Sequence, residues 1–493
     1  MKEINYQKEN RNHLKIYNSI TGKKELFQPI HKEYVGIYVC GPTVYSHLHL
    51  GNCRTFILFD VVFRYFKHLG YKVRYVRNIT DVGHLENDSI EDKISKRSRM
   101  EGIEPMEVVQ KYTLSFHNLL NILNVLPPNI EPTATGHMIE QIDMIQELIK
   151  KKLAYEINGS VYFDLKKYRK FHSYGIISKN KIDQLSHKNK KLEFLQEKRG
   201  VQDFSLWKRA YSNHIMNWNS PWGKGFPGWH IECTTMSTKY LGKTFDIHGG
   251  GMDLKFPHHE CELAQATGIY DTSFLAHYWM HTNMLTLNGK KMSKSTGNFL
   301  ELKDIIYNNI REKAFFPNIF RFYILQYHYR NIMDFSNKGI INAEKGYHRI
   351  MRAINVLKNF ELNESKNKLN NHFNIYHWIN VCYQAINDDF NIPLLITYLF
   401  QAARIINNSL HDIRMSHISL LKKYMTYFVF DILGIQEIKK YEEKESYKKL
   451  KILTERLIKF RIEVRKQNNW IISDRIRKEL SYIGVLLHDE KFF

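Results

Sequence analysis

"KEYVGIYVCGPTVYSHLHLGNCRTFILFDVVFRYFKHLGYKVRYVRNIT" (residues 32–80) decides how this chain folds. Its first ten residues are β-branched and aromatic and end in glycine, which predicts a strand. From Gly51, the apolar residues Leu58, Val61, Val62, Tyr65 and Phe66 recur at helical spacing, and Gly70 is placed to cap the helix. "YKVRYVRNIT" (71–80) then predicts a second strand. Strand, turn, helix and strand make a βαβ unit, so a parallel sheet with helices on both faces is expected. Ligands of such sheets sit beyond the carboxyl ends of the strands, where Cys40 and Thr80 fall.

The chain has 493 residues, enough for about two to four domains. Hydrophobic residues at 43% and aromatics at 13% predict a globular protein rather than a disordered one. No apolar run reaches the ~18 residues needed to span a bilayer. The polar start "MKEINYQKENRNHLKIYNS" has no signal-type segment, so a cytoplasmic location is expected. Five scattered cysteines are too few for a disulfide framework and point to metal binding or catalysis instead. Lys and Arg number 72 against 50 Asp and Glu, a net charge of +22, which suits a polyanionic partner.

Residues 113–200 break the α/β pattern and predict an insertion between two halves of the sheet, with a strand at "SVYFDL" (160–165). After about residue 310 the pattern is helical, interrupted by Asn-rich "LNESKNKLNNH" (362–372). The expected division is 14–112 and 201–310 for the two halves of the sheet, 113–200 for the insertion, 311–440 for a helical stem and bundle, and 441–493 for a basic helical end.

Three further stretches carry chemistry. "GFPGWHIEC" (225–233) brings a second cysteine, and "FDIHGGGMDLKFPHHECELAQATG" (245–268) brings His258 and Glu262. With a helix opening at Pro257, His258 and Glu262 share one face, the ligand types of a zinc site. Cys40 and Cys233 would complete a tetrahedral set, and Cys261 is a rival ligand by spacing. "NGKKMSKSTGN" (288–298) supplies Lys291 and Lys294, point charges able to fold over a polyphosphate. His49 and Asn52 sit at the opening of the first helix, where the N-terminal dipole end favours an anion.

Together these stretches resemble cysteinyl-tRNA synthetase, a family of class I aminoacyl-tRNA synthetases, along nearly the whole chain. "HLGN" (49–52) is similar to one class signature, with Asn52 in place of its second histidine, and "KMSKS" (291–295) matches the other. "YVCGPTVY" (38–45), "YVRNITD" (75–81), "PGWHIEC" (227–233), "DIHGGGMDLKFPHHE" (246–260) and "DDFNIP" (388–393) are specific to the family. The resemblance implies a Rossmann-type catalytic domain with an all-α anticodon-binding region, usually as a monomer. It implies one zinc ion on Cys40, Cys233, His258 and Glu262, which removes Cys261 from the set. His49, Gly51, Asn52 and Lys294 would bind ATP with its Mg2+, and His49, Asn52, Lys291 and Lys294 would serve catalysis. Gly41, Thr43, Thr80, Trp229 and Asp253 would line the pocket for L-cysteine. The partner would be tRNA(Cys), with basic 456–485 a contact surface. Zinc would select cysteine over serine by taking its thiolate, with no editing domain. A small-molecule cysteine ligase lacks need of the helical third, and a decayed RNA-binding relative should have lost ligands that are present here.

Overall fold

The computed structural model describes residues 6–84, 91–179, 197–211, 214–292, 297–298, 300–301, 305, 315–360, 373–409, 415–437, 453–454, 456–465 and 467–482. The first elements are α1 (Tyr6–Asn10), β1 (Lys15–Asn18), β2 (Lys23–Leu26), β3 (Tyr34–Val39), α2 (Leu50–His68) and β4 (Lys72–Arg77). Here α2 is the helix predicted from Gly51, and the five residues picked by spacing are all buried. Burial runs almost around α2, as for a helix enclosed on all sides. Gly70, at φ +82°, ends it by donating to the Lys67 carbonyl at 2.9 Å, a left-handed turn that suits glycine.

Helices α3 (Lys93–Glu101), α4 (Pro105–Ile122) and α5 (Met138–Lys150) lead to β5 (Ala154–Ile157), β6 (Ser160–Phe163), α6 (Leu165–Tyr168), β7 (Phe204–Arg209) and β8 (Gly225–Pro227). Strands β5 to β8 form one antiparallel sheet in chain order, so it draws strands from both sides of residue 200. The predicted strand at 160–165 is β6. The chain then returns to the first sheet through α7 (Trp229–Leu241), β9 (Phe245–Gly251), α8 (His258–Tyr270) and β10 (Ala276–Thr282).

The central sheet has the order β10-β9-β3-β4 and is parallel throughout. β3 connects outward to β4 and β9 outward to β10, so the strand order reverses between β3 and β9. A crevice opens at such a reversal, at the carboxyl ends of the strands. One core lies on the α2 face, with Phe59, Val62 and Phe66; the other holds Tyr38, Val76, Met236 and Trp279.

A three-stranded sheet follows, of β11 (Leu285–Leu287), β12 (Lys290–Lys291) and β13 (Met333–Phe335). Around it are α9 (Pro317–Leu325), α10 (Asn337–Lys358), α11 (Ile375–Asn387), α12 (Ile392–Ser409), α13 (Met415–Thr426) and α14 (Trp470–Tyr482). No helix among the described residues is long and apolar enough to cross a membrane. The Asn-rich stretch 362–372 lies outside the described residues.

The helical part shares the α2 core, which runs unbroken from Leu14 to Ile435. "DDFNIP" is the joint. Asp389, fully buried, accepts hydrogen bonds from Tyr17 N (2.8 Å), Tyr329 Oη (2.6 Å) and Arg330 Nε (2.7 Å). Phe390 packs edge-on against Tyr65 of α2. A second joint is Arg321 of α9, fully buried, which pairs with Asp60 of α2 and donates to the carbonyls of Leu433 and Leu123. Removing one partner of a buried ion pair strands the other charge. Arg321→Met should therefore lower the free energy of unfolding by about 3–5 kcal/mol, read by chemical denaturation.

Candidate functional site

The crevice between β3 and β9 gathers residues from three places in the chain. Cys40 follows β3, and its backbone N–H donates to the Gly249 carbonyl of β9 at 3.1 Å. Cys233 is in the second turn of α7, while His258 and Glu262 lie one turn apart at the start of α8. Pro257 is the residue before α8, so that helix opens at His258.

The donor atoms of Cys40, Cys233, His258 and Glu262 all lie within 4.8 Å of one another, and all four residues are buried. Cys40 Sγ is 3.7 Å from Cys233 Sγ and 3.6 Å from Glu262 Oε1, and His258 Nε2 is 3.0 Å from the same Oε1. A tetrahedral ion with sulfur at about 2.3 Å holds two sulfurs roughly 3.8 Å apart. The set therefore fits a zinc-sized cation in both chemistry and spacing.

Electrostatics agree. Burial and the neighbouring Cys233 push the Cys40 thiol well above its ordinary range. Burial would likewise push Glu262 up, but the His248 and His258 imidazoles outweigh it and hold the carboxyl well below the usual range. Burial opposes charge on His258, yet Glu262 and Cys233 raise it to about 10. Without a cation the Cys40 thiol keeps its proton and His258 carries charge beside Glu262; a cation at the centre would let both thiols ionise.

A second grouping, Cys40, His248, His259 and Glu262, meets the same distance limit. It shares two members with the first and offers one sulfur instead of two, so a soft metal favours the first. His248 Nε2 is 2.8 Å from Glu262 Oε2, and His259 Nε2 is 3.4 Å from Cys40 Sγ. These imidazoles stand where outer partners orient ligands. His248 reaches Glu262 from β9 across to α8, and His259, next to His258 on α8, reaches Cys40 past the end of β3; both are contacts between separate elements that spacing along the chain does not show. Cys261 belongs to neither group: its Sγ faces Tyr174 Oη at 3.4 Å. Cys53 is buried in the α2 core.

His49 is the residue before α2. A Cβ at Gly51 would come within 2.9 Å of the His49 ring, so glycine leaves room for that imidazole. Asn52 spends its carbonyl oxygen on the His49 backbone N–H at 3.3 Å, bracing the turn. The segment after the lysine-rich loop lies alongside: Leu50 N donates to the Leu300 carbonyl at 3.0 Å, and His49 bridges Glu301. The start of α2 therefore lies beside residues 300 and 301. Lys291 ends β12, while Lys294 lies outside the described residues.

Thr43 and Thr80 are bridged across the ends of β3 and β4, beside Gly41. Trp229 opens α7 with its ring 4.3 Å from the His258 ring. Asp253, exposed, sits in the 3₁₀ turn after β9. In the basic C-terminal segment, Arg461 is buried and donates to the Ser473 carbonyl, a structural role, whereas Arg475, Arg477 and Lys478 are exposed. Lys466 lies outside the described residues.

Residues 26–345 match the family of class I (C) tRNA synthetase catalytic domains, and 382–459 match the DALR domain. A protein of Azobacteroides pseudotrichonymphae named cysteine–tRNA ligase is 48% identical over 98% of this chain and 98% of its own. One of the same name from Bacteroides fragilis is 47% identical over 97% of each. Among solved structures, Mycobacterium tuberculosis methionyl-tRNA synthetase with methionyl-adenylate has a TM-score of 0.55 at 12% identity, covering 82% of this chain and 90% of that one. A leucyl-tRNA synthetase from Agrobacterium radiobacter gives 0.58 at 10% identity, covering 83% and 85%. At such identities these two share the fold alone.

The ligand set has a direct check. Cys40→Ser should strip bound metal from the purified protein and Cys261→Ser should leave it in place, as read by elemental analysis.

Proposed function

The chain belongs to the cysteine–tRNA ligase family, and from that premise we propose that it activates L-cysteine with ATP and passes it to tRNA(Cys), using one zinc ion held by Cys40, Cys233, His258 and Glu262. The observation that carries this reading is the meeting of those four side chains at the strand ends, a few residues from the start of α2. The cysteine carboxylate attacks the α-phosphate of ATP, pyrophosphate leaves, and the cysteinyl group then moves to the terminal ribose of the tRNA.

No covalent nucleophile is needed. Catalysis rests on holding the two reactants together and on balancing charge that grows on the phosphates. His49, Gly51 and Asn52 at the positive end of α2, with Lys291 and Lys294 of the lysine-rich motif, supply that balance for ATP and its Mg2+. Gly41, Thr43, Thr80, Trp229 and Asp253 surround the amino acid.

Serine differs from cysteine by one atom, and shape alone separates such pairs by only ~10²-fold. Bound zinc supplies a soft centre that takes a thiolate and takes a hydroxyl poorly. The buried ligands around it exclude water and keep the site rigid, so no editing site is required. The first half (14–112) and second half (201–310) of the catalytic domain build this centre around the insertion at 113–200. Residues 311–440 and 441–493 engage the tRNA, with Arg475, Arg477 and Lys478 toward solvent for phosphate contact.

Pyrophosphate exchange into ATP should depend on cysteine and remain near background with serine. Lys294→Ala should slow that exchange about a hundredfold or more, the usual loss for one contact made in the transition state. Equal rates in variant and parent would remove Lys294 from the mechanism. Binding of tRNA(Cys) should weaken steeply with salt as basic side chains lose their advantage over counterions, and a flat response would count against the electrostatic surface.

A further inference from the structure

Asn78 lies one residue past β4 and is fully buried, and no role has been assigned to it above. Its carboxamide is used on both sides. Oδ1 accepts the Gly41 backbone N–H at 2.9 Å, and Nδ2 donates to Thr80 Oγ1 at 3.1 Å. The orientation of the amide follows from the backbone donor, because the reverse would set two N–H groups against each other. Oδ1 also lies 3.7 Å from Cys233 Sγ.

Three parts of the pocket meet on this one side chain. Gly41 directly follows the ligand Cys40, and Cys233 is the other sulfur. Thr80 is the strand-end hydroxyl, whose Oγ1 is also 3.2 Å from Glu232 Oε2 on α7. Glu232 is fully buried, and its other oxygen is 2.8 Å from His84 Nε2. The network ties the end of β3, the end of β4 and α7 into one arrangement.

We propose that Asn78 is a positioning residue for amino-acid activation, fixing the distance between the sulfur-binding end of the pocket and the Thr80 hydroxyl at its other end. The inference rests on the cysteine-activating reading and adds to it a residue that touches neither substrate nor metal. Buried groups hydrogen-bonded on all sides hold one geometry, and loss of one member leaves the others unpaired. An aspartate at this position keeps the shape and can still accept from Gly41, but it cannot donate to Thr80.

The test is cysteine-dependent pyrophosphate exchange by the full-length, zinc-loaded protein. Asn78→Asp should raise the KM for cysteine about tenfold or more, with the KM for ATP changed less than about twofold and zinc content kept. Thr80→Val should give a similar rise, and Thr80→Ser, which keeps the hydroxyl, should recover most of that loss. Asn78→Asp added to Thr80→Val should cost little more, because the two act through one connection.

An unchanged cysteine KM in Asn78→Asp, equal rises for cysteine and ATP, or fully additive losses would overturn the proposal. If Asn78→Asp does not fold, the Thr80 pair decides: a Thr80→Val protein with the parent KM overturns it. A parent that exchanges with no amino acid overturns the activity and this inference together, whereas an active parent with an unaffected Asn78→Asp variant overturns this inference alone.

Discussion

Two thiols and a carboxylate, sealed from water at the end of a parallel sheet, are the constraint around which the molecule is arranged. Three such groups cannot all ionise in a dry interior unless positive charge stands among them. His258 supplies part of it, and a cation at the common centre would supply the rest. The polypeptide bringing them together is costly in order: one ligand follows β3, one sits on α7 and two on α8, with nearly two hundred residues between Cys40 and Cys233. The reversal of strand order between β3 and β9 makes their meeting possible, because both strands end at the same crevice.

Helix α2, on whose start the proposed ATP site rests, also carries the mechanical load. Its first turn presents His49 and Asn52, and one turn on Arg54, almost fully buried, donates to the carbonyls of Asn283, Met284 and His328. Those carbonyls border the three-stranded sheet that leads into the lysine-rich loop. Farther along, Asp60 meets Arg321, Tyr65 donates to Asn387 Oδ1 at 2.6 Å, and His68 meets Tyr383 at 2.8 Å. The helical part is therefore packed on the back of α2. All of the motifs quoted for ATP and metal binding lie before Asn298, so the sequence alone suggests that a chain cut near residue 340 would still activate cysteine while losing transfer to tRNA. The shared core adds a cost in stability to any such cut, because it would bare Tyr65, Phe66 and their neighbours to water.

Much of the site was legible because its signals are local. The βαβ unit shows in the periods of 32–80, and His258 and Glu262 share a face simply by being four apart on a helix. Spacing could not choose between Cys40 and Cys261, since that depends on which strand ends adjoin; in the structure Cys261 points away to Tyr174. His248 and His259 stand in the quoted stretch 245–268, but their contacts with Glu262 and Cys40 join separate elements and show only in the folded chain. The strands around 204–227 were hidden by another cause. Antiparallel neighbours can be joined across a long irregular stretch, so a composition boundary near residue 200 carries no information about pairing. Asn78, in the middle of "RNIT", has no periodic signature; its importance arises only from what three other segments place around it. Arg461 errs in the opposite direction, because charge composition marks it as a surface contact and packing encloses it.

The central claim is that the buried cluster reads the amino acid through its sulfur. X-ray absorption at the zinc edge of the full-length protein tests this most directly. Two sulfur neighbours at about 2.3 Å should be seen in the free protein, becoming three when cysteine is added and staying two with serine. A sulfur count that does not change with cysteine would contradict the account.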